Sequence, residues 1–371
     1  MPRTPLKLPD FPWDTLDPYA AIARAHPGGM IDLSVGSPVD PTPALIRAAL
    51  AAATDAHGYP QTAGTPQLRE AIVGWYARRR GVHDLSVANV LPTIGSKELI
   101  ALLPTLFGLG PGDTVVQPSV AYPTYAIGAA IAGASVVASD DPAEWPASTR
   151  LIWVNSPGNP DGRVLGVERL RAMVARAREL GAVIASDECY AELDWATDPH
   201  GRHPTTPSIL DPRVIAGELN SVLSVYSLSK QSNLAGYRAA FVAGCSELIG
   251  ELLAVRKHAG LIPPAPVQAA MIAALADDAD VAAQREVYRA RRGRLLRAFE
   301  AAGFRIDHSE AGLYLWATTG TDAWQTVSQL AELGILVVPG SFYAEQPAVH
   351  VRVALTATDA AIDAAVARLA S

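Results

Sequence analysis

Between residues 87 and 244 the chain repeats one pattern: a short apolar run, then a helical stretch, then another apolar run. The runs fall at 89–92, 114–117, 135–138, 151–154, 182–185, 222–226 and 239–243. Helical periodicity fills most of the gaps, as at 96–106 and 167–180. Continuous rather than alternating hydrophobicity means strands covered on both faces. The pattern therefore implies an α/β fold, three layers deep, with a mostly parallel sheet between helices. Ligands of such sheets gather at the carboxyl ends of the strands.

The flanks read differently. A Pro- and Gly-rich arm with a short helix at 16–25 precedes a strand at 31–35, and Thr42-Pro43 sets an N-cap for a helix reaching 53. Thr65-Pro66 opens a second helix, and its end is marked by Arg78-Arg79-Arg80 and Gly81, where a helix dipole favours cations. Pro263, Pro264 and Pro266 mark a boundary. Beyond it come a long arginine-rich helix at 281–302 and strands near 304–307, 313–317, 335–338 and 350–354, an α+β pattern. We expect a large domain at 44–263, and a smaller α+β domain formed by 1–43 with 264–371.

Composition narrows the functions. With 371 residues and 49% hydrophobic content a large core is affordable, and a net charge of −7 disfavours nucleic acid or an anionic membrane as partner. Cys189 and Cys245 form no framework, no apolar leader opens the chain and no run spans a bilayer, so a reduced, cytoplasmic protein is expected. The eight histidines show no metal spacing.

Only four lysines occur, and Lys230, in Ser227-Leu228-Ser229-Lys230, lies between two apolar runs. Burying an ammonium is costly, so a lysine kept there points to amine chemistry that arginine cannot perform. Other polar residues stand at strand ends: Gly95-Ser96-Lys97, Asn155 to Gly162, and Asp187-Glu188-Cys189-Tyr190. Each alone is an ordinary turn or cap. Ser227-x-x-Lys230 also fits the S-x-x-K of serine hydrolases, but the S-D-N and K-T-G partners are missing. A dinucleotide oxidoreductase is a further possibility on fold grounds, yet Gly108-Leu109-Gly110-Pro111-Gly112 is no G-x-G-x-x-G fingerprint. A non-catalytic binding protein leaves the polar set without work.

Taken in order, Tyr59 with Gly64, Gly95-Ser96-Lys97, Tyr122-Pro123-Thr124-Tyr125, Asn159-Pro160-x-Gly162, Asp187-x-x-Tyr190, Ser227-x-Ser229-Lys230, Arg238 and Arg352 resemble the fold-type-I, pyridoxal-phosphate-dependent aminotransferases of class I/II. The stretches at 59–66, 232–238 and 33–41 look most like N-succinyldiaminopimelate aminotransferases of lysine and cell-wall biosynthesis. The resemblance implies an aspartate-aminotransferase-like fold, with pyridoxal 5'-phosphate bound covalently to Lys230, whose amine then moves protons. It implies that Asp187 pairs with the pyridine nitrogen, that Tyr190 and Asn159 bond the ring hydroxyl, and that Tyr122 stacks on the ring, with Tyr125 second in line. The phosphate falls to Gly95, Ser96, Ser227, Ser229 and Arg238; Lys97 either joins them or solvates the helix surface. Tyr59 reaches the neighbouring subunit's phosphate, so a homodimer with shared active sites is implied. Arg352, helped by the backbone of Gly36, clamps the substrate α-carboxylate. Aspartate, alanine, aromatic or kynurenine-type aminotransferases and C–S lyases share these parts.

Overall fold

The computed structural model describes residues 8–196, 205–345 and 348–370. After a two-residue strand β1 (Ile31–Asp32), seven strands build one sheet: β2 (Val90–Ile94), β3 (Thr114–Gln117), β4 (Ser135–Ala138), β5 (Thr149–Asn155), β6 (Val183–Asp187), β7 (Val222–Ser227) and β8 (Ala239–Gly244). Their order across the sheet is β2-β8-β7-β6-β5-β3-β4, parallel except for β8, which runs antiparallel to both its neighbours. The expected α/β sheet is present. Apolar residues of β5 to β8 are buried on both faces, in two clusters on either side of the sheet. Helices Ser96–Leu106 and Val167–Leu180 have the predicted ends.

A second core surrounds a four-stranded antiparallel sheet, in the order β12 (Val338–Pro339), β13 (His350–Ala354), β10 (Tyr314–Thr318) and β9 (Arg305–Asp307). Strand β11 (Ile335–Leu336) pairs instead with β1, so the single strand expected at 335–338 is split between two sheets.

Three local expectations change. The strand at 31–35 stops at Asp32, because its Oδ1 accepts from the amide of Ser34 at 2.8 Å and from its hydroxyl at 2.6 Å, closing a side-chain turn. Thr42 caps nothing: Pro43 is the N-cap of the helix Ala44–Ala52, and the Thr42 hydroxyl donates to the carbonyl of Asn233 at 3.0 Å. The helix Ala265–Ala276, placed by sequence beyond the boundary, buries Ala270, Met271 and Ala274 in the large core.

The arginine triplet ends its helix as expected, with Gly81 at φ 66°. It also does more than solvate a helix end. Arg80 lies 3.4 Å from buried Glu188, Arg79 2.6 Å from Glu192 and Arg78 2.8 Å from Asp278.

The helix Asp278–Ala301 joins the parts. Gln284 accepts from the Asn233 amide at 2.9 Å and donates to Asp40 at 2.9 Å, while Arg291, 2% exposed, grips Asp40 through two bonds of 2.7 Å. The loop after Lys230, the N-terminal arm and the long helix are thereby tied together.

Candidate active site

The carboxyl ends of β5, β6 and β7 open into a cavity of about 1170 Å³, closed on the far side by residues of the arm and of the small sheet. Asp187 ends β6 and Ser227 ends β7, a neighbouring parallel strand; Lys230 follows in the helical turn Leu228–Gln231. Parallel pairing thus delivers a carboxylate and an amine to one rim.

The Lys230 amine donates to the carbonyl of Gly36. Burial pushes its pKa down, which keeps a usable neutral amine closer to physiological pH. Asp187 is 5% exposed, and burial raises its carboxyl above the usual range. Its Oδ1 accepts from the Cys189 amide at 3.2 Å and its Oδ2 from the Tyr125 hydroxyl at 3.0 Å. Tyr125, read from sequence as a second choice for ring stacking, is instead stacked on Trp153 at 5.0 Å and aims its phenol at Asp187. Tyr122 lines the cavity with its ring at 84° to that of Tyr125, and burial lifts its phenol to about 12.

An anion cradle lies at one end. The helix Ser96–Leu106 starts at Gly95 without a side-chain cap, so its first amides have no local acceptor. Gly95 has φ +81°, and a Cβ there would lie 2.3 Å from Nη2 of Arg238, so only glycine lets that guanidinium approach. Ser229 donates its amide to Ser227 Oγ at 3.2 Å, and the two hydroxyls are 2.9 Å apart. Uncapped amides, two hydroxyls and an arginine fit a phosphate dianion. The buried carboxylate of Asp187 fits a protonated ring nitrogen, so the donor set suits pyridoxal phosphate as a whole. Lys97 departs from the cradle: it is exposed, with its ammonium 5.8 Å from the centre of the Phe11 ring.

The opposite end carries Arg352, 3% exposed. It donates to Asn159 Oδ1 at 3.1 Å and to the Ser34 carbonyl at 2.6 Å. Asn159 is held in turn by Asn155, whose Oδ1 accepts the Asn159 amide at 2.8 Å and whose Nδ2 donates to the Asp187 carbonyl at 2.9 Å. Arg352 faces Trp316 across β13 and β10, which puts Tyr314 two residues along on the same face. The Tyr314 ring centre lies 4.0 Å from the guanidinium carbon, and that of Tyr343 lies 5.0 Å away. Tyr314 also shares a 3.3 Å hydrogen bond with the hydroxyl of Tyr190, and a Cβ on Gly36 would fall 1.9 Å from its oxygen. Burial opposes ionisation of Tyr314, but Arg352 and Lys230 outweigh it and pull the phenol below the ordinary tyrosine value.

Tyr314 and Tyr343 were not legible as site residues. Tyr314 stands in an apolar strand, where an aromatic reads as core, and Tyr343 follows the turn Gly340–Phe342. The one available signal was a phenol at a strand position two residues from the partner of the buried arginine.

Some residues lie elsewhere. Tyr59 is 101% exposed and does not line the cavity of its own chain. His57 is exposed, 3.6 Å from Asp55. Arg163 faces a separate cavity of about 240 Å³ with His308 and His350. Among the described residues no group of His, Cys, Asp and Glu is placed to hold a metal ion, and no helix is long and apolar enough to cross a membrane.

Comparison with known proteins agrees with this geometry. The sequence model of the family "Aminotransferase class I and II" matches residues 28–369. A probable aminotransferase of Mycobacterium tuberculosis is 56% identical over 98% of this chain and 85% of its own length. The 4-dedimethylamino-4-oxo-anhydrotetracycline transaminase OxyQ of Streptomyces rimosus is 54% identical over 98% of this chain and 99% of its own. An LL-diaminopimelate aminotransferase of Dehalococcoides mccartyi is 31% identical, covering 98% and 96%. Among solved structures, an aminotransferase from Neisseria meningitidis superposes with a TM-score of 0.88 at 29% identity, over 98% of this chain and 97% of that one. The chain belongs to the class I and II aminotransferases and is a pyridoxal-phosphate-dependent transaminase.

Proposed function

We propose that the chain exchanges an amino group between N-succinyl-LL-2,6-diaminopimelate and 2-oxoglutarate, with glutamate as the returning donor. The observation that carries a long amino-acid substrate is the shape of the cavity. From Arg352 and Lys230 it continues past Tyr122 to the arm residues Leu8 to Trp13 and to exposed Lys97, a cation suited to a distal carboxylate. The relatives named for LL-diaminopimelate support a dicarboxylic diamine of this length.

Bound pyridoxal phosphate supplies the electron sink that makes the substrate Cα–H acidic. The chain's own residues do the rest. Arg352 receives the α-carboxylate, and Asn159 fixes one edge of its guanidinium. This orients Cα toward the Lys230 amine, which takes and returns the proton. Asp187, held by Tyr125 and Cys189, keeps its charge aimed at the ring nitrogen. Gly95, Ser96, Ser227, Ser229 and Arg238 anchor the phosphate. Tyr190, held by Tyr314, meets the ring hydroxyl, and Tyr122 covers the ring face. Holding the carboxylate also disfavours decarboxylation, which needs that bond free. In a homodimer, Tyr59 reaches the neighbour's phosphate site. The N-terminal arm and the small antiparallel sheet close over the substrate held by the large unit.

One observation favours a second reading. Phe11, Trp13 and Phe342 form an aromatic run at the mouth, with ring centres 5.4 and 5.3 Å apart. Such a wall suits a flat polycyclic keto substrate of the kind named for the Streptomyces rimosus relative. A panel of half reactions decides: each donor is mixed with the loaded enzyme, and conversion of the cofactor to its amine form is followed by absorption. Succinyldiaminopimelate and glutamate should convert it fastest. Conversion only by bulky aromatic amines would overturn the diaminopimelate assignment. Lys230→Ala should lose both turnover and the visible band of the lysine-bound cofactor, and full activity in that variant would reject the site.

A further inference from the structure

Tyr343 follows the turn Gly340–Phe342, where its carbonyl accepts from the Ala121 amide at 2.8 Å and its ring packs edge-on against Trp316. The side chain is 4% exposed and lines the main cavity, yet its hydroxyl has no hydrogen-bond partner among the described residues. The same is true of Nε of Arg352, whose guanidinium carbon lies 5.0 Å from the Tyr343 ring centre. Two buried, unpaired donors lining one cavity are costly unless something accepts from them. Of the other guanidinium nitrogens, Nη1 already donates to Asn159 and Nη2 to the Ser34 carbonyl. A planar group with two acceptor oxygens and a negative charge satisfies both donors at once, and a carboxylate is such a group.

We propose that Tyr343 is a substrate-binding residue, donating from its phenol to the carboxylate that Arg352 receives. The inference rests on the aminotransferase reading of the cavity and adds a contact to it. Burial pushes the phenol's pKa up, so the group stays a donor across the physiological range. Because the α-carboxylate is common to both partners of a transamination, the contact serves amino donor and 2-oxo acceptor alike. It is present before and after proton transfer, so it acts on binding and leaves the chemical step alone.

Tyr343→Phe keeps the ring and removes the donor. Expected is a rise of about tenfold in KM for both glutamate and 2-oxoglutarate, the loss of one hydrogen bond to a charged group, with kcat within about twofold of the parent. The cofactor spectrum and thermal midpoint should stay unchanged, and Tyr343→His, which retains a donor, should recover part of the affinity. Unchanged KM values in the Phe variant would overturn the proposal, as would a fall in kcat at constant KM. Should that variant fail to fold, 3-fluorotyrosine at position 343 keeps the shape and makes a stronger acid. The fluorinated phenol is also the stronger hydrogen-bond donor, so 2-oxoglutarate must bind more tightly at neutral pH, and unchanged affinity would refute the contact. Binding of 2-oxoglutarate, read from the cofactor absorption, needs no turnover. A parent enzyme that binds it but never transaminates would therefore sink the proposed function while still testing Tyr343.

Discussion

A carboxylate buried as deeply as Asp187 destabilises the chain that carries it. Its pKa is raised in the fold, so the folded chain holds the proton more tightly than the unfolded one. The stability it contributes is complete below the unfolded value of about 3.9 and is lost as pH rises through the folded value. Asp187→Asn should therefore raise the thermal midpoint of the cofactor-free chain at neutral pH, with the gain shrinking as the solution is acidified. The same change removes the counter-charge for the ring nitrogen, so kcat should fall by about 10² or more. Calorimetry across pH, beside single-turnover rates, checks both halves. An equal midpoint at neutral pH would mean that Tyr125 and Cys189 already compensate the buried charge.

At the scale of elements, the cradle depends on a bare glycine at a helix start. Gly95→Ala puts a methyl 2.3 Å from Arg238 and strains φ +81°, so the guanidinium must move away from the phosphate position. Cofactor affinity should weaken by about tenfold or more, on the scale of one charge-assisted bond, which equilibrium dialysis of the loaded enzyme measures. Strands and helices of the large sheet were largely readable in sequence, because buried parallel strands are uninterrupted apolar runs and their helices carry clear ends. Lys230, Asp187 and Asn159 could be singled out because each breaks such a run at its carboxyl end. Tyr314 could not, since a phenol inside an apolar strand is indistinguishable from packing until the register sets it beside Arg352. Lys97 shows the converse limit. It follows the cradle serine in sequence, yet its side chain stands exposed over the Phe11 ring, where both residues line the cavity. The false strand end at 33–35 and the false cap at Thr42 share one cause: short polar side chains chose partners that local pattern does not reveal.

At the scale of the molecule, a fully exposed tyrosine beside Gly64 is explained if a second copy covers it. A shared site makes complementation possible. Lys230→Ala and Tyr59→Ala are each expected to be nearly inactive alone. Refolded together, they form mixed dimers in which one site keeps both intact side chains, and activity should return. No recovery in dimers verified by mass would reject the shared arrangement.

The long helix behind the cavity has a consequence for how specificity can drift. Gln284 and Arg291 do not line the cavity, yet they fix where Asp40 and Asn233 sit, and those two lie four and three positions from Gly36 and Lys230. Changes there re-aim the receiving groups without altering any of them. A lineage adapting to a new amine thus has a steering linkage remote from the reacting atoms, and the catalytic set can persist unaltered while the molecules it accepts diverge.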